Sequence, residues 1–316
     1  MKRFFALLIL LLVLATIAIY ILIPATLKIA AVNIVSANSE AAFRVISKPA
    51  NWVKWTTGAL PAITGDENIG AFTNDTHTFY IKEILHNAAK IKATGGSLQT
   101  SSLFTILPIT KDSAVMKWES EITTGSNPLT KIQRYRQALA LKKSIGSILD
   151  RLQQFLEKQE NLYGYNFHVA TTTDTLLVAY KNSSPNYPDT KTLYNNIFKL
   201  QQYVINKGGK QIAPPMLNIT KQDDSSYNYM IALPVDKKIN AENPYLYRKL
   251  IAGNFLITKV YGGEYIVNHA MSMMQLYMND YGKTSMAIPF CRLITDRLSQ
   301  TDTTKWETEI YFPVIR

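Results

Sequence analysis

The chain has 316 residues, more than one average domain, so two domains with accessory segments are expected. Its formal charge of +11 is spread thinly. No Lys/Arg run exceeds two residues and no helix-turn-helix or zinc-finger spacing occurs, so nucleic acid is not expected as a partner. One cysteine, Cys291, and four scattered histidines (His77, His86, His168, His269) without HExxH or CxxC exclude an intramolecular disulfide and leave no metal or other cofactor to expect.

Residues 4–23 (FFALLILLLVLATIAIYILI) carry no charge, and at ~1.5 Å per residue such a helix covers roughly 30 Å, one hydrocarbon thickness. A cleaved signal has an apolar core of about 7–15 residues followed by small residues at the cut. Here the core is longer, and cuts after Ala25 or Ala30 have Ile23 or Lys28 two positions before them. A retained anchor, residues 1–28, is the expectation, with a cleaved signal as the alternative. Lys2 and Arg3 precede the span, which orients the N-terminus to the cytoplasm and the bulk of the chain outside, periplasmic in a Gram-negative cell.

From 32 to 37 (VNIVSA) the residues alternate as in a strand, and Asn38-Ser39 offers a cap for a helix that must stop near Lys48, ahead of Pro49. Trp52 and Trp55 follow in a turn, placed to plug one end of a core. Strand-like runs at 77–84, 89–94, 101–107 and 113–122 are separated by turn residues, as in an antiparallel meander. His77 and Glu83, six apart on one run, have the spacing to share a strand face, although two exposed or partner-satisfied side chains are the better reading. A long amphipathic helix closes this half, with Ile132, Tyr135, Leu139, Ile145, Leu149, Leu152 and Leu156 on its apolar stripe.

The opening strand, the NSEAAFRVISKPANWVKW element with its W-x-x-W and the long last helix resemble the START-like (SRPBCC, polyketide cyclase-like) superfamily over residues 29–160. The resemblance implies a helix-grip fold over an apolar cavity. No acidic or histidine pair of a cyclase-type active site is visible.

Residues 208–219 (GGKQIAPPMLNI) and 282–293 (GKTSMAIPFCRL) form a repeat offset by 74 positions, with Gly208, Ala213 and Pro215 recurring as Gly282, Ala287 and Pro289. Around each copy runs the same succession. In the first, 176–180 is strand, 189–207 helix, APPMLNIT strand and 227–235 strand; in the second, 255–261 is strand, EYIVNHAMSMMQLYMNDYG helix, IPFCRLIT strand and 306–314 strand. Two strand-helix-strand-strand units sharing one sheet leave a groove between them, the natural ligand site. The fold class is α+β throughout.

VYGGEY (260–265), GKTSMAIPFCRL and the terminal WETEIYFPVIR give residues 161–316 a resemblance to the gyrase-inhibitor-like (GyrI-like) effector-binding fold. That resemblance implies binding of small, often cationic and aromatic molecules by an acidic residue and aromatics; some relatives are hydrolases. Fifteen of the 18 tyrosines lie beyond residue 160, in keeping with such a cleft. Glu307 and Glu309 share one face of the last strand, opposite Trp306, Thr308 and Ile310, and either is a candidate countercharge or a solvated residue. Their equivalents in the first copy, Asn228 and Met230, are uncharged. Tyr261 and Tyr265 flank Gly262-Gly263, where backbone can turn close to a ligand. Trp306 completes the candidate set. Cys291 and the helix methionines Met271, Met273, Met274 and Met278 read as packing.

Together these features describe a membrane-tethered sensor or carrier of hydrophobic or cationic amphipathic molecules, partnered by the membrane and by a small ligand. A hydrolase using a cleft Glu/Tyr pair is the alternative. No linked nucleophile, base and orienting residue is legible, which favours binding.

Overall fold

The computed structural model describes residues 2–57, 68–223, 226–285 and 287–315. Met1 of the anchor, Met286 of the second repeat copy and Arg316 of the terminal motif lie outside them. The fold is mixed α+β with curled antiparallel sheets, in two compact units, Met1–Leu162 and Tyr163–Arg316.

In the first unit, α1 (Lys2–Leu22) leads into β1 (Thr26–Val35), α2 (Ser39–Ile46), a 3-10 turn (Pro49–Lys54), the strands β2 (Gly70–Asn74), β3 (His77–Ile84), β4 (Ala88–Gly95), β5 (Leu98–Pro108) and β6 (Ala114–Thr123), and α3 (Pro128–Leu156). A short α4 (Gln159–Tyr163) follows. The sheet order is β1-β6-β5-β4-β3-β2, antiparallel throughout. Helix α1 is long and apolar enough to cross a membrane, and its apolar window has no buried residue; a signal sequence meets the same criterion. Asn38 caps α2 as its position suggested, its side chain accepting from the amides of Glu40 and Ala41.

Among the described residues, one side of the sheet is packed with aromatic rings. Trp52, Phe72, Phe79, Phe104 and Trp118 are fully buried, with ring centroids from 5.0 Å (Phe72–Phe79) to 6.4 Å (Trp52–Trp118). Leu141, Ile145, Ile148, Leu149 and Leu152 of α3 join them in one core. Together with α3, these rings form the core of this unit.

Two sequence expectations change in this unit. Tyr135 and Leu139 are exposed; the inward stripe of α3 runs through Lys131, Ala138 and Leu141. His77 and Glu83 do not share a face, because a bulge between Ile81 and Glu83 inserts one residue and reverses the alternation. His77 is buried, and burial holds its imidazole below the ordinary histidine range. Glu83 is outside, paired with Lys90 at 2.7 Å.

The second unit adds β7 (His168–Thr172), β8 (Thr175–Ser184), α5 (Thr190–Asn206), β9 (Met216–Asp223), β10 (Ser226–Val235), β11 (Tyr245–Leu250), β12 (Gly253–Tyr261), α6 (Glu264–Asp280), β13 (Phe290–Leu293) and β14 (Glu307–Pro313). Its eight strands run in the order β11-β8-β10-β9-β13-β14-β12-β7. The sequence repeat is therefore a structural one: β8, α5, β9 and β10 recur as β12, α6, β13 and β14. Strands β7 and β11, which periodicity did not reveal, are exchanged. β7 leads into the first copy but pairs with β12 of the second, and β11 leads into the second but pairs with β8 of the first.

The helices superpose residue for residue at the 74-residue offset. Leu193, Ile197, Leu200 and Val204 of α5 stand where Val267, Met271, Met274 and Met278 stand on α6, each set packing on its own half of the sheet. Met274 and Met278 are core, as read from the sequence, Met271 packs partly buried against them, and Met273 is half-buried outside that cluster.

Candidate functional site

Sheet alternation sorts the second unit's side chains onto two faces. Leu217 and Ile219 of β9 and Cys291 and Leu293 of β13 point to the helix-bearing face. Over the seam between the two copies they form the floor of a small cavity of about 50 Å³. Val267, Met271, Asn268 and Glu264 of α6 wall one side, and Tyr187, from the segment before α5, and Arg297 complete the lining.

The charges at this cavity come from the second copy alone. Glu264 opens α6 at the position that Thr190 holds on α5. Arg297 has a different origin. In the first copy β9 ends at Asp223 and β10 begins at Ser226, whereas in the second a segment of 13 residues, 294–306, separates β13 from β14. It is an ordered excursion. Asp296 caps its own turn through the amide of Leu298 at 2.9 Å, the Trp306 indole donates to the carbonyl of Gln300 at 2.7 Å, and the Tyr194 hydroxyl of α5 donates to the carbonyl of Thr295 at 2.9 Å. The excursion carries Arg297 over the Trp306 ring, 4.9 Å from its centroid, with Nη2 donating to Thr308 Oγ1 at 2.8 Å. Its Nε is buried without a hydrogen-bond partner.

Glu264 forms no ion pair among the described residues; its nearest polar partner is Asn268 on its own helix at 3.5 Å. Burial raises its carboxyl above the ordinary glutamate range, opposed by the Asn268 contact and the positive field of Arg297. Burial likewise raises the Tyr187 hydroxyl, and Glu264 adds to that shift. The Cys291 thiol, enclosed beneath, is pushed up to about 12 by burial and stays protonated at neutral pH. Oppositely charged groups thus line one cavity above an apolar floor without neutralising each other. On the α5 side of the excursion lies a larger groove of about 300 Å³ of mixed polarity, lined by Ile197, Phe198, Pro215 and Leu298 together with Gln201 and Asp296. Leu293 lines both.

The five residues singled out in the sequence do not converge here. Glu307 and Glu309 do share a strand face, but that face is turned away from the helices. Glu307 pairs with Lys259 at 2.6 Å, and Glu309 accepts the Tyr311 hydroxyl at 2.8 Å. Arg292 donates to that hydroxyl at 2.9 Å and stacks 4.5 Å from the ring centroid. Burial and the Glu309 contact push the Tyr311 hydroxyl up to about 12. Tyr261 is on the same face at the end of β12, 58% exposed. Tyr265 is 78% exposed on the outer side of α6, its ring stacked on His269 at 6.3 Å. Gly262 between these tyrosines is required by its backbone, at φ +144°, and a Cβ there would stand 2.7 Å from Ile266. Trp306 is the one candidate tied to the cavity, through Arg297. Glu264, Arg297 and Tyr187 were missed, although one signal was present. The GGK and GKT motifs are 74 apart while ALPV (232–235) and YFPV (311–314) are 79 apart, so five extra residues must lie between the second motif and the last strand.

No group of His, Cys, Asp and Glu among the described residues is arranged to hold a metal ion. No protein-family model matches the chain, and no curated protein matches it. Solved structures similar to it include the EcmrR C-terminal domain, at 16% identity over 48% of this chain and 98% of that one, TM-score 0.43. SAV2435 bound to tetraphenylphosphonium is similar at 17% identity over 48% and 94%, TM-score 0.33. A hydrolase from Listeria innocua is similar at 10% identity over 48% and 92%, TM-score 0.37. At these identities and TM-scores none of the three assigns a family or an activity.

Proposed function

We propose that this chain is a membrane-tethered binding protein for a small amphipathic molecule, with a START-like unit, residues 29–160, and a GyrI-like ligand-binding unit, residues 161–316. The internal repeat of this chain supports the second assignment, and the strand meander closed by a long helix supports the first. Helix α1 is the anchor, and the bulk of the chain lies outside the cytoplasmic membrane. The observation that carries the binding reading is the seam cavity, where Glu264 and Arg297 stand unpaired over Leu217, Cys291 and Leu293. The ligand's polar group enters this cavity, its positive or hydrogen-donating part toward Glu264, and its apolar body lies in the groove beside Phe198. A groove of about 300 Å³ is at the lower end of the range for small-molecule sites, roughly 300–1,000 Å³.

Binding without chemistry fits these groups best. A hydrolase would draw on Glu264 and Tyr187, but the thiol in the floor is protonated and enclosed. The test is calorimetric titration of the detergent-solubilised full chain with tetraphenylphosphonium and with neutral triphenylphosphine oxide. Glu264→Gln is expected to weaken the cation roughly ten- to hundredfold and not to weaken the oxide, whose phosphoryl oxygen gains nothing from a carboxylate. Glu307→Gln and Glu309→Gln run in parallel. If one of them discriminates and Glu264→Gln does not, the countercharge lies on the helix-free face.

A further inference from the structure

Only residues 23–25 separate α1 from β1, and the backbone carbonyl of each is held by the corner between β6 and α3. Lys131, on the second turn of α3 and only 4% exposed, donates from Nζ to the carbonyl of Ile23 at 2.8 Å. Thr124 donates from Oγ1 to the carbonyl of Pro24 at 2.9 Å and from its amide to that of Ala25 at 2.9 Å. One turn inside α1, the Tyr20 hydroxyl donates to the carbonyl of Ser126, and the Lys131 ammonium stands 5.3 Å from the Tyr20 ring centroid. An ammonium at the carbonyl end of a helix also meets the negative end of its dipole. There is no linker here: helix and corner form one braced piece.

The brace fixes a depth. A tyrosine at the end of a spanning helix belongs at the membrane–water interface. Ser126, which its hydroxyl touches, is then at the same level, and so is the first turn of α3, where Leu129 is 76% exposed. We propose that the β6–α3 corner is a bilayer-contact surface, seated on the outer lipid interface with the Leu129 side chain inserted into it. The proposal rests on the reading of α1 as a retained anchor. A leucine left in water by its own unit is accounted for by the bilayer from which α1 emerges, and Lys131 holds the corner at that bilayer.

The test is made on the full chain in phosphatidylcholine nanodiscs with an environment-sensitive fluorophore attached at Leu129→Cys. Asp112→Cys is the comparison, on the exposed β5–β6 turn. That turn lies about ten strand residues up β6, roughly 30 Å from the corner. The native Cys291 is buried, and unsubstituted protein gives the labelling background. The expected result is aqueous iodide quenching several-fold weaker at 129 than at 112, with nitroxide carried on the lipids quenching 129 alone. Equal iodide quenching at both positions, in protein that still co-elutes with the discs, overturns the proposal and leaves the anchor intact. Protein that does not co-elute with the discs overturns the anchor, and the proposal with it.

Discussion

Leu217 and Cys291 face each other across the β9–β13 pair, and they are 74 positions apart, the same offset that relates α5 to α6. Each therefore meets its own counterpart, which places the approximate twofold axis of the second unit through this pair. The cavity lies over that axis with a floor that obeys the symmetry and charges that do not. A small molecule bound there meets two different halves and has one preferred orientation.

The axis pair is also a packing site. Leu217→Ala removes a buried side chain at the junction of both halves, and a large-to-small change of this kind costs about 2–5 kcal/mol. Hydrogen exchange read by mass spectrometry should show that loss in peptides of β9, β13 and α6. Peptides of β3–β6 should be unchanged.

Arg297 and Glu264 predict effects of opposite sign. The guanidinium repels a ligand cation from the cavity that Glu264 makes attractive, so Arg297→Met should tighten tetraphenylphosphonium several-fold in the same calorimetric titration. A change in thermal midpoint of the second unit without a gain in affinity would mean that Arg297 serves only to hold Trp306.

Cation binding should depend on pH through Glu264. Its carboxyl is raised by burial, so the negative form is present above that raised value and is lost as pH falls through it. Tetraphenylphosphonium affinity is expected to decline on acidification at a pH above that of an ordinary glutamate, and proton release should accompany binding in that window. Titrations in buffers of different ionisation enthalpy measure the released proton directly. Glu264→Gln should abolish both effects.

A fragment of residues 163–316 should fold alone, since its cores are made from its own strands and helices. A single cooperative urea transition is the expected readout. A fragment that stays unfolded would assign part of its stability to the preceding residues.

Repetition made most of the second unit legible, because two copies of one pattern constrain each other's boundaries. Strands β7 and β11 escaped because their partners are more than 60 residues away and local alternation carries no record of such pairing. The same limit hid the bulge in β3, whose single extra residue changes which side chains face inward without altering composition. On α3 the inward position 131 is a lysine, and a buried lysine is invisible to a search for apolar periodicity until the carbonyl that satisfies it is known. For the site, parity correctly put Glu307 and Glu309 on one face, but parity does not say which face the helices cover. In the sequence Glu264 is one acid at the start of a helix and Arg297 one charge in a polar segment. Only their convergence on one cavity distinguishes them.

The exchange of β7 and β11 bears on how the chain acquires its shape. His168 must find Ile257, and Tyr180 must find Tyr245, before either outer edge of the sheet is closed. Such long loops slow the search, as contacts distant in sequence generally do. The first copy therefore has no finished outer edge until β11 has been synthesised, and β7 has no partner until β12 has. A chain ending after residue 244 should accordingly remain sensitive to protease across β7, β8 and α5; extension through β11 should protect β8 and α5, and extension through β12 should protect β7. Duplication has here produced a single sheet in which each half supplies the edge strand that the other lacks.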